Sequence, residues 1–137
     1  MERLPQRSIA TVALVVRDYD EALAWYTGVL GFDCIEDTNL GGGKRWVVVG
    51  PGGRGARLLL AKAATGGQAE RIGDQTGGRV FLFLETGDFT RDYYALSARG
   101  VRFAEAPREE RYGTVAVFKD LYGNRWDLIE PKGGRVP

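Results

Sequence analysis

The chain has 137 residues, the usual size of one domain, and 44% of them are hydrophobic, which is enough to form a core. Its 19 basic and 18 acidic residues leave a net charge of +1, so no strong field attracts nucleic acid or a membrane surface. Histidine is absent and Cys34 is the only cysteine, which excludes an internal disulfide and an ordinary zinc, iron or copper site built from one chain.

The first half of the chain predicts one strand, one helix and three more strands. Residues 8–16 are rich in β-branched side chains and predict the opening strand. Helical spacing follows, with Asp18 as the N-cap, Glu21 in a capping-box position and Gly31 as the stop. Three short strands then come at residues 32–36, 45–49 and 56–61, separated by glycine-rich loops.

The second half repeats this order after a predicted linker at residues 63–78. A strand at 79–85 leads into a helix at 88–99, which Gly100 ends. Three strands close the pattern, at residues 101–104, 114–118 and 125–129. We therefore predict an α+β fold in which two β-α-β-β-β units, residues 8–62 and 79–131, form a single domain that spans residues 1–137. An ordinary α+β domain with halves that look alike by chance is the alternative.

The stretch KDLYGNRWDLIEP, residues 119–131, predicts a hairpin turn followed by a half-buried strand. Because strand side chains alternate, Arg125, Asp127 and Ile129 are expected on one face of this strand, and Trp126 and Leu128 on the other. The role of Asp127 depends on what its face contacts.

The segments VALVVRDYDEALAWYTGVLGF and VAVFKDLYGNRWDLIEP resemble the opening and closing signatures of the vicinal oxygen chelate superfamily, which includes glyoxalase I, extradiol dioxygenases, fosfomycin-resistance enzymes and bleomycin-binding proteins. The resemblance covers residues 9–131. It implies that the two units curl their mixed sheets into a cup with the helices outside, the glyoxalase/bleomycin resistance fold. It also implies a homodimer, in some members with exchanged halves.

The resemblance places a divalent ion on four inward side chains, and this chain departs from that pattern. The matching positions are Thr11, Leu59, Phe81 and Asp127. Leucine and phenylalanine offer no lone pair, and a threonine hydroxyl is a weak ligand. We therefore expect no family-type metal and no other cofactor. An ion held by oxygen atoms, from Thr11, Glu85 and Asp127, is the remaining alternative.

Alternation along the strands predicts which residues line the cup of the resembled fold. A small, largely apolar or aromatic molecule could stack on Phe81 and Phe83, while Asp127 or Glu85 receives a cationic or hydroxyl group. Phe81 and Phe83 could instead fill the cup, with Asp127 paired to Arg57 or Arg125. The predicted ligand-binding residues are Thr11, Ala13, Arg57, Leu59, Phe81, Phe83, Glu85, Arg125 and Asp127, with Trp46 and Tyr112 at the rim. The opposite, apolar faces are expected beneath the helices.

Three classes of function remain open. The first is metal-independent binding of a small molecule by sequestration, as in the bleomycin-binding members that the chain resembles. The second is a glyoxalase-like lyase or isomerase that uses Asp127 or Glu85 as a general base, without a metal or with an oxygen-ligated ion. The third is an assembly or regulatory module. No leader segment or long apolar span is visible, so we expect a soluble, cytoplasmic protein with no nucleic-acid or membrane partner.

Overall fold

The structure, a computed structural model, describes residues 5–134. The first half contains one helix and four strands in the predicted order. These elements are β1 (Thr11–Val16), α1 (Tyr19–Gly28), β2 (Asp33–Gly41), β3 (Lys44–Gly50) and β4 (Arg57–Lys62). Strand β2 extends five residues beyond its predicted end at residue 36, because it forms a long hairpin with β3 in which a carboxylate of Asp37 faces Arg45.

The second half follows the same order, with additions that the sequence did not predict. Its elements are α2 (Gly66–Ala69), β5 (Val80–Glu85), α3 (Phe89–Ala98), β6 (Arg102–Phe103), β7 (Arg108–Glu110), β8 (Gly113–Lys119), β9 (Arg125–Pro131) and a closing 3-10 turn (Lys132–Gly134). The short helix α2 lies inside the predicted linker, and β7 lies in what was expected to be a loop. No helix among the described residues is long and apolar enough to cross a membrane.

Both halves build a mixed sheet with the same topology, which confirms the α+β fold of two tandem β-α-β-β-β units. The strand orders are β1-β4-β3-β2 and β5-β9-β8-β6, with β7 added beside β8. In each sheet the first strand pairs in parallel with the last, and the other pairs are antiparallel. Strands β1 and β5 therefore both lie at a sheet edge.

Both long helices begin at the aspartates that the sequence indicated. Asp18 accepts a hydrogen bond from the backbone N–H of Glu21 at 2.8 Å, and Asp88 accepts one from the backbone N–H of Arg91 at 3.1 Å. The capping box itself is not formed. The Glu21 carboxylate accepts hydrogen bonds from Arg17 and from the Tyr122 hydroxyl instead, so it ties α1 to the turn before β9.

One hydrophobic core joins the two halves. It contains the inner faces of both sheets and the buried faces of α1 and α3, including Leu14, Leu58, Leu60, Tyr26, Phe89, Leu96, Trp126 and Leu128. These faces are the apolar ones expected beneath the helices. We call the opposite face of each sheet its open face. Residues of the open faces lie outside this core.

Phe81 is not on the open face, contrary to the prediction. Val80 pairs with Arg125 and Leu82 pairs with Trp126, so the register skips Phe81. Such a bulge interrupts the alternation of the strand. The Phe81 ring packs against the core, with its centroid 6.3 Å from that of Trp126, and Phe81 therefore does not share a face with Asp127.

Candidate functional site

A cleft of about 480 Å³ lies between the two sheets, next to their edge strands. One wall is formed by Val12 and Leu58, from β1 and β4 of the first sheet. The facing wall is formed by Leu82, Leu84 and Trp126, from β5 and β9 of the second sheet. Both walls consist of apolar residues from the core-facing sides of the sheets. The cleft is therefore the space left where the two sheets do not pack against each other.

The mouth of the cleft is formed by the loop between β3 and β4. This loop reads PGGRGA, and its residues Pro51, Gly53, Arg54, Gly55 and Ala56 line the cleft. The backbone of Gly55 has φ +116°, a conformation that side chains disfavour. Arg54 is exposed and makes no ion pair with any of residues 5–134, so its guanidinium is free to contact a bound molecule.

Two residues from the predicted site, Phe83 and Glu85, also line the cleft. Both lie on the open face of β5, and they reach the cleft because β5 is an edge strand. The Phe83 side chain is 64% exposed, which is unusual for so large an apolar ring.

The predicted site residues of the first sheet do not line the cleft. Thr11 pairs with Arg57 and Ala13 pairs with Leu59, so these four residues are neighbours on the open face. Trp46 lies on the adjacent strand β3 and is 41% exposed. This group is brought together as predicted from alternation, but on the side of the sheet away from the cleft.

Asp127 lies on the open face of the second sheet, between Phe83 on β5 and Val117 on β8. Its side chain is buried, and Oδ1 has no hydrogen-bond partner among the described residues. Burial raises the pKa of Asp127, while the positive charge of Arg108 acts in the opposite direction. A carboxyl group in this setting holds its proton more tightly than usual, as an acid–base group does.

The other two predicted residues lie at the ends of the second sheet. Arg125 opens β9 and is exposed, opposite Lys119. Tyr112 sits in the turn before β8, where its carbonyl accepts a hydrogen bond from the backbone N–H of Lys132 at 2.8 Å. The ion pairs proposed for a filled cup, Asp127 with Arg57 or Arg125, do not form. Binding by Arg125 and Tyr112 stays a prediction.

Two of the four metal positions of the resembled superfamily cannot contribute a ligand. Leu59 and Phe81 have no donor atom, and Phe81 packs into the core. No group of three or more His, Cys, Asp or Glu side chains within residues 5–134 is arranged to hold a metal ion.

Several cleft residues were not predicted from the sequence. Four of them are apolar residues on the strand faces that were expected beneath the helices: Val12, Leu58, Leu82 and Leu84. The alternating pattern does not indicate which part of such a face the helices leave uncovered. The loop from Pro51 to Ala56 offered a weak signal, since its glycines and its single charge set it apart from an ordinary tight hairpin.

The comparisons with known proteins agree with this architecture. The family model described as "Glyoxalase/Bleomycin resistance protein/Dioxygenase superfamily" matches residues 8–128. An uncharacterised protein of Shewanella frigidimarina (strain NCIMB 400) is 55% identical over 127 residues, which cover 91% of this chain and 94% of that protein.

Two solved structures are similar over most of their length. UcmS2 is 29% identical with a TM-score of 0.78, covering 91% of this chain and 98% of that chain. TnmS3, described as an antibiotic binding protein from Streptomyces sp. CB03234, is 27% identical with a TM-score of 0.75, covering 94% of this chain and 99% of that chain. Sequence motifs, sheet topology and these matches lead to one conclusion: the chain belongs to the glyoxalase/bleomycin resistance protein/dioxygenase superfamily.

Proposed function

We propose that the protein binds a small, largely apolar or aromatic molecule in the cleft between its sheets, without a metal ion. The cleft itself is the observation that carries this proposal. Its volume of about 480 Å³ lies in the range of small-molecule sites, which are concave, mostly apolar and supplied with a few polar groups. The similarity to TnmS3, described as antibiotic binding, supports the same class of function.

Phe83 supplies the strongest apolar contact that remains unused. An exposed phenylalanine ring that becomes buried contributes about 1–2 kcal/mol to binding, and stacking on a planar ligand adds about 1 kcal/mol. Arg54 and Glu85 are the charged residues that line the cleft, and each can orient a polar group of the ligand. Because two of the four metal positions, Leu59 and Phe81, lack a donor atom, we assign the affinity to these contacts rather than to a metal ion.

A screen of planar aromatic compounds by thermal shift, followed by isothermal titration, tests the proposal. Ala56→Trp fills the cleft, and we expect it to weaken binding at least about tenfold. Ala98→Trp places the same ring on the exposed surface of α3, away from the cleft, and serves as the matched control. If no compound raises the Tm of the unmodified protein, or if both variants bind equally well, the proposal is wrong.

One observation favours a second function, metal-free general-base catalysis of the kind found in a lyase or isomerase. The buried Oδ1 atom of Asp127 lacks a hydrogen-bond partner among the described residues, and burial raises the pKa of this carboxyl. Exchange of the α-proton of hydroxy ketones into heavy water, followed by NMR, measures such activity. Asp127→Asn should abolish exchange and Glu85→Gln should not; equal exchange in both variants would remove Asp127 as the base.

We further propose that the chain forms a homodimer, as the resemblance to its superfamily implies, and that it acts in the cytoplasm, as the sequence pattern led us to expect. The exposed Trp46 on the open face of the first sheet supports a partner contact there. Light scattering that returns the mass of one chain at micromolar concentration would exclude the dimer.

A further inference from the structure

A second compartment lies next to the cleft, beside helix α3. This second compartment has a volume of about 300 Å³. It shares four lining residues with the cleft: Phe32, Pro51, Leu84 and Glu85. The two compartments therefore adjoin at these residues, and a molecule long enough to pass Glu85 would contact both.

The chemistry of the lining changes between the two compartments. The second compartment is lined by Asp92, from the first turn of α3, and by Arg99, the C-cap of that helix, in addition to the shared Glu85. The Asp92 carboxylate is already engaged, because it accepts hydrogen bonds from the Thr86 hydroxyl and from Arg91 Nε. Asp92 is therefore part of the wall rather than a free ligand-binding group.

Arg99 and Glu85 are the free polar groups of this compartment. Neither side chain forms an ion pair with any part of the chain that the structure describes. The Arg99 guanidinium lies over Gly31, where a Cβ atom would stand only 2.7 Å from Nη1. The glycine at this position, with φ +83°, thus leaves room for the guanidinium at the end of the compartment.

We infer that the ligand is an amphipathic molecule, with an aromatic body in the cleft and a hydroxylated, sugar-like end in the second compartment. An anionic end would meet Glu85 and Asp92, and a cationic end would meet Arg99. A hydroxyl group can donate a hydrogen bond to Glu85 and accept one from Arg99, so it satisfies both free groups. This inference rests on the proposed binding function and specifies its ligand class.

Two probes that share an aromatic body test the inference, β-naphthol and naphthyl β-glucoside, each titrated calorimetrically. The unmodified protein should bind the glucoside about tenfold more tightly, because a hydrogen bond to a charged group contributes about that factor. Arg99→Gln should remove this preference and leave β-naphthol binding unchanged. Arg102→Gln, an exposed arginine outside the compartment, should keep the preference.

A second variant separates contact from fold. Ala95→Trp blocks the second compartment from the surface of α3 and should weaken glucoside binding at least about tenfold, while β-naphthol still binds. Each variant is compared with the unmodified protein by its Tm, so that a damaged fold is recognised.

The outcomes distinguish the inference from the function on which it rests. If β-naphthol binds in the cleft and Ala56→Trp prevents this, but the glucoside binds no more tightly and Arg99→Gln has no effect, the second compartment is not a ligand site and the binding function stands. If neither probe binds, the inference is overturned, while the binding function is decided separately by the thermal-shift screen of planar aromatic compounds.

Discussion

The two halves of the chain share a topology but bury their open faces to different extents. Leu59 pairs with Ala13 in the first sheet as Asp127 pairs with Phe83 in the second, so Leu59 and Asp127 are equivalent positions. Leu59 is half-buried, whereas Asp127 is only 6% exposed. Its neighbour on the same face, Ile129, is 2% exposed.

The difference follows from what each half adds to the shared pattern. In the second half, β7 pairs with β8 and brings Arg108 opposite Val115, close enough for its charge to act on Asp127. The first half instead extends its β2–β3 hairpin into solvent, where all of β2 is exposed. The repeated topology therefore determines which residues of the two halves are equivalent. The strand β7, which only the second half has, changes the surroundings of Asp127 and thereby the pKa of its carboxyl group.

The largest loss of stability is expected from substitutions at two core residues that are equivalent in the two halves, Trp126 and Leu58. Trp126 packs on four aromatic rings, those of Tyr26, Phe32, Phe81 and Phe118. We expect Trp126→Ala to lower the free energy of unfolding by about 4 kcal/mol and Leu58→Ala by about 3 kcal/mol, measured by urea denaturation. A greater loss for Leu58→Ala would contradict the view that the aromatic cluster around Trp126 holds the halves together.

An intermediate effect is expected where α1 contacts the second half. The Tyr26 hydroxyl donates a 2.7 Å hydrogen bond to Asp120, which is 1% exposed and lies 94 positions away. Burial, with the nearby Asp120 charge, raises the pKa of Tyr26 well above its usual value. Tyr26→Phe should lower the free energy of unfolding by about 2 kcal/mol, because the bond is to a charged group.

The matched control for Tyr26→Phe lies on α3, the equivalent helix. Tyr93 stacks on Phe89, and its hydroxyl makes no hydrogen bond within residues 5–134. Tyr93→Phe should therefore leave the denaturation midpoint within experimental error. Equal losses in the two variants would mean that the bond to Asp120 does not join the halves.

The smallest effect concerns pH and the buried carboxyl of Asp127. Because burial raises its pKa in the folded state, the proton is held more tightly there than in the unfolded chain. The stability linked to this proton is present below the unfolded pKa and is lost as the pH rises through the folded pKa. Asp127→Asn should therefore gain Tm relative to the unmodified protein at about pH 7, and gain less at about pH 4. A gain that is larger at the acidic pH would show that Arg108, not burial, dominates.

The sequence by itself determined the order of the elements that the two halves share and the residues that begin the two long helices. These features are local: Asp18 and Asp88 cap the backbone three residues ahead, and alternation along a strand separates its two faces. The tandem topology and the family followed from them. Of the predicted site, the grouping of Thr11, Ala13, Arg57 and Leu59 on one face was also accessible in this way.

Only the tertiary structure decided where the cleft lies and what surrounds Asp127. The alternation of side chains along a strand predicts which residues share a face. It does not predict which element packs on that face or which part of the face stays uncovered. The bulge at Phe81 and the cleft form where strands distant in sequence meet, β5 with β9 and β1 with β4. Packing between halves is a balance of many such contacts, and no short stretch of sequence carries it.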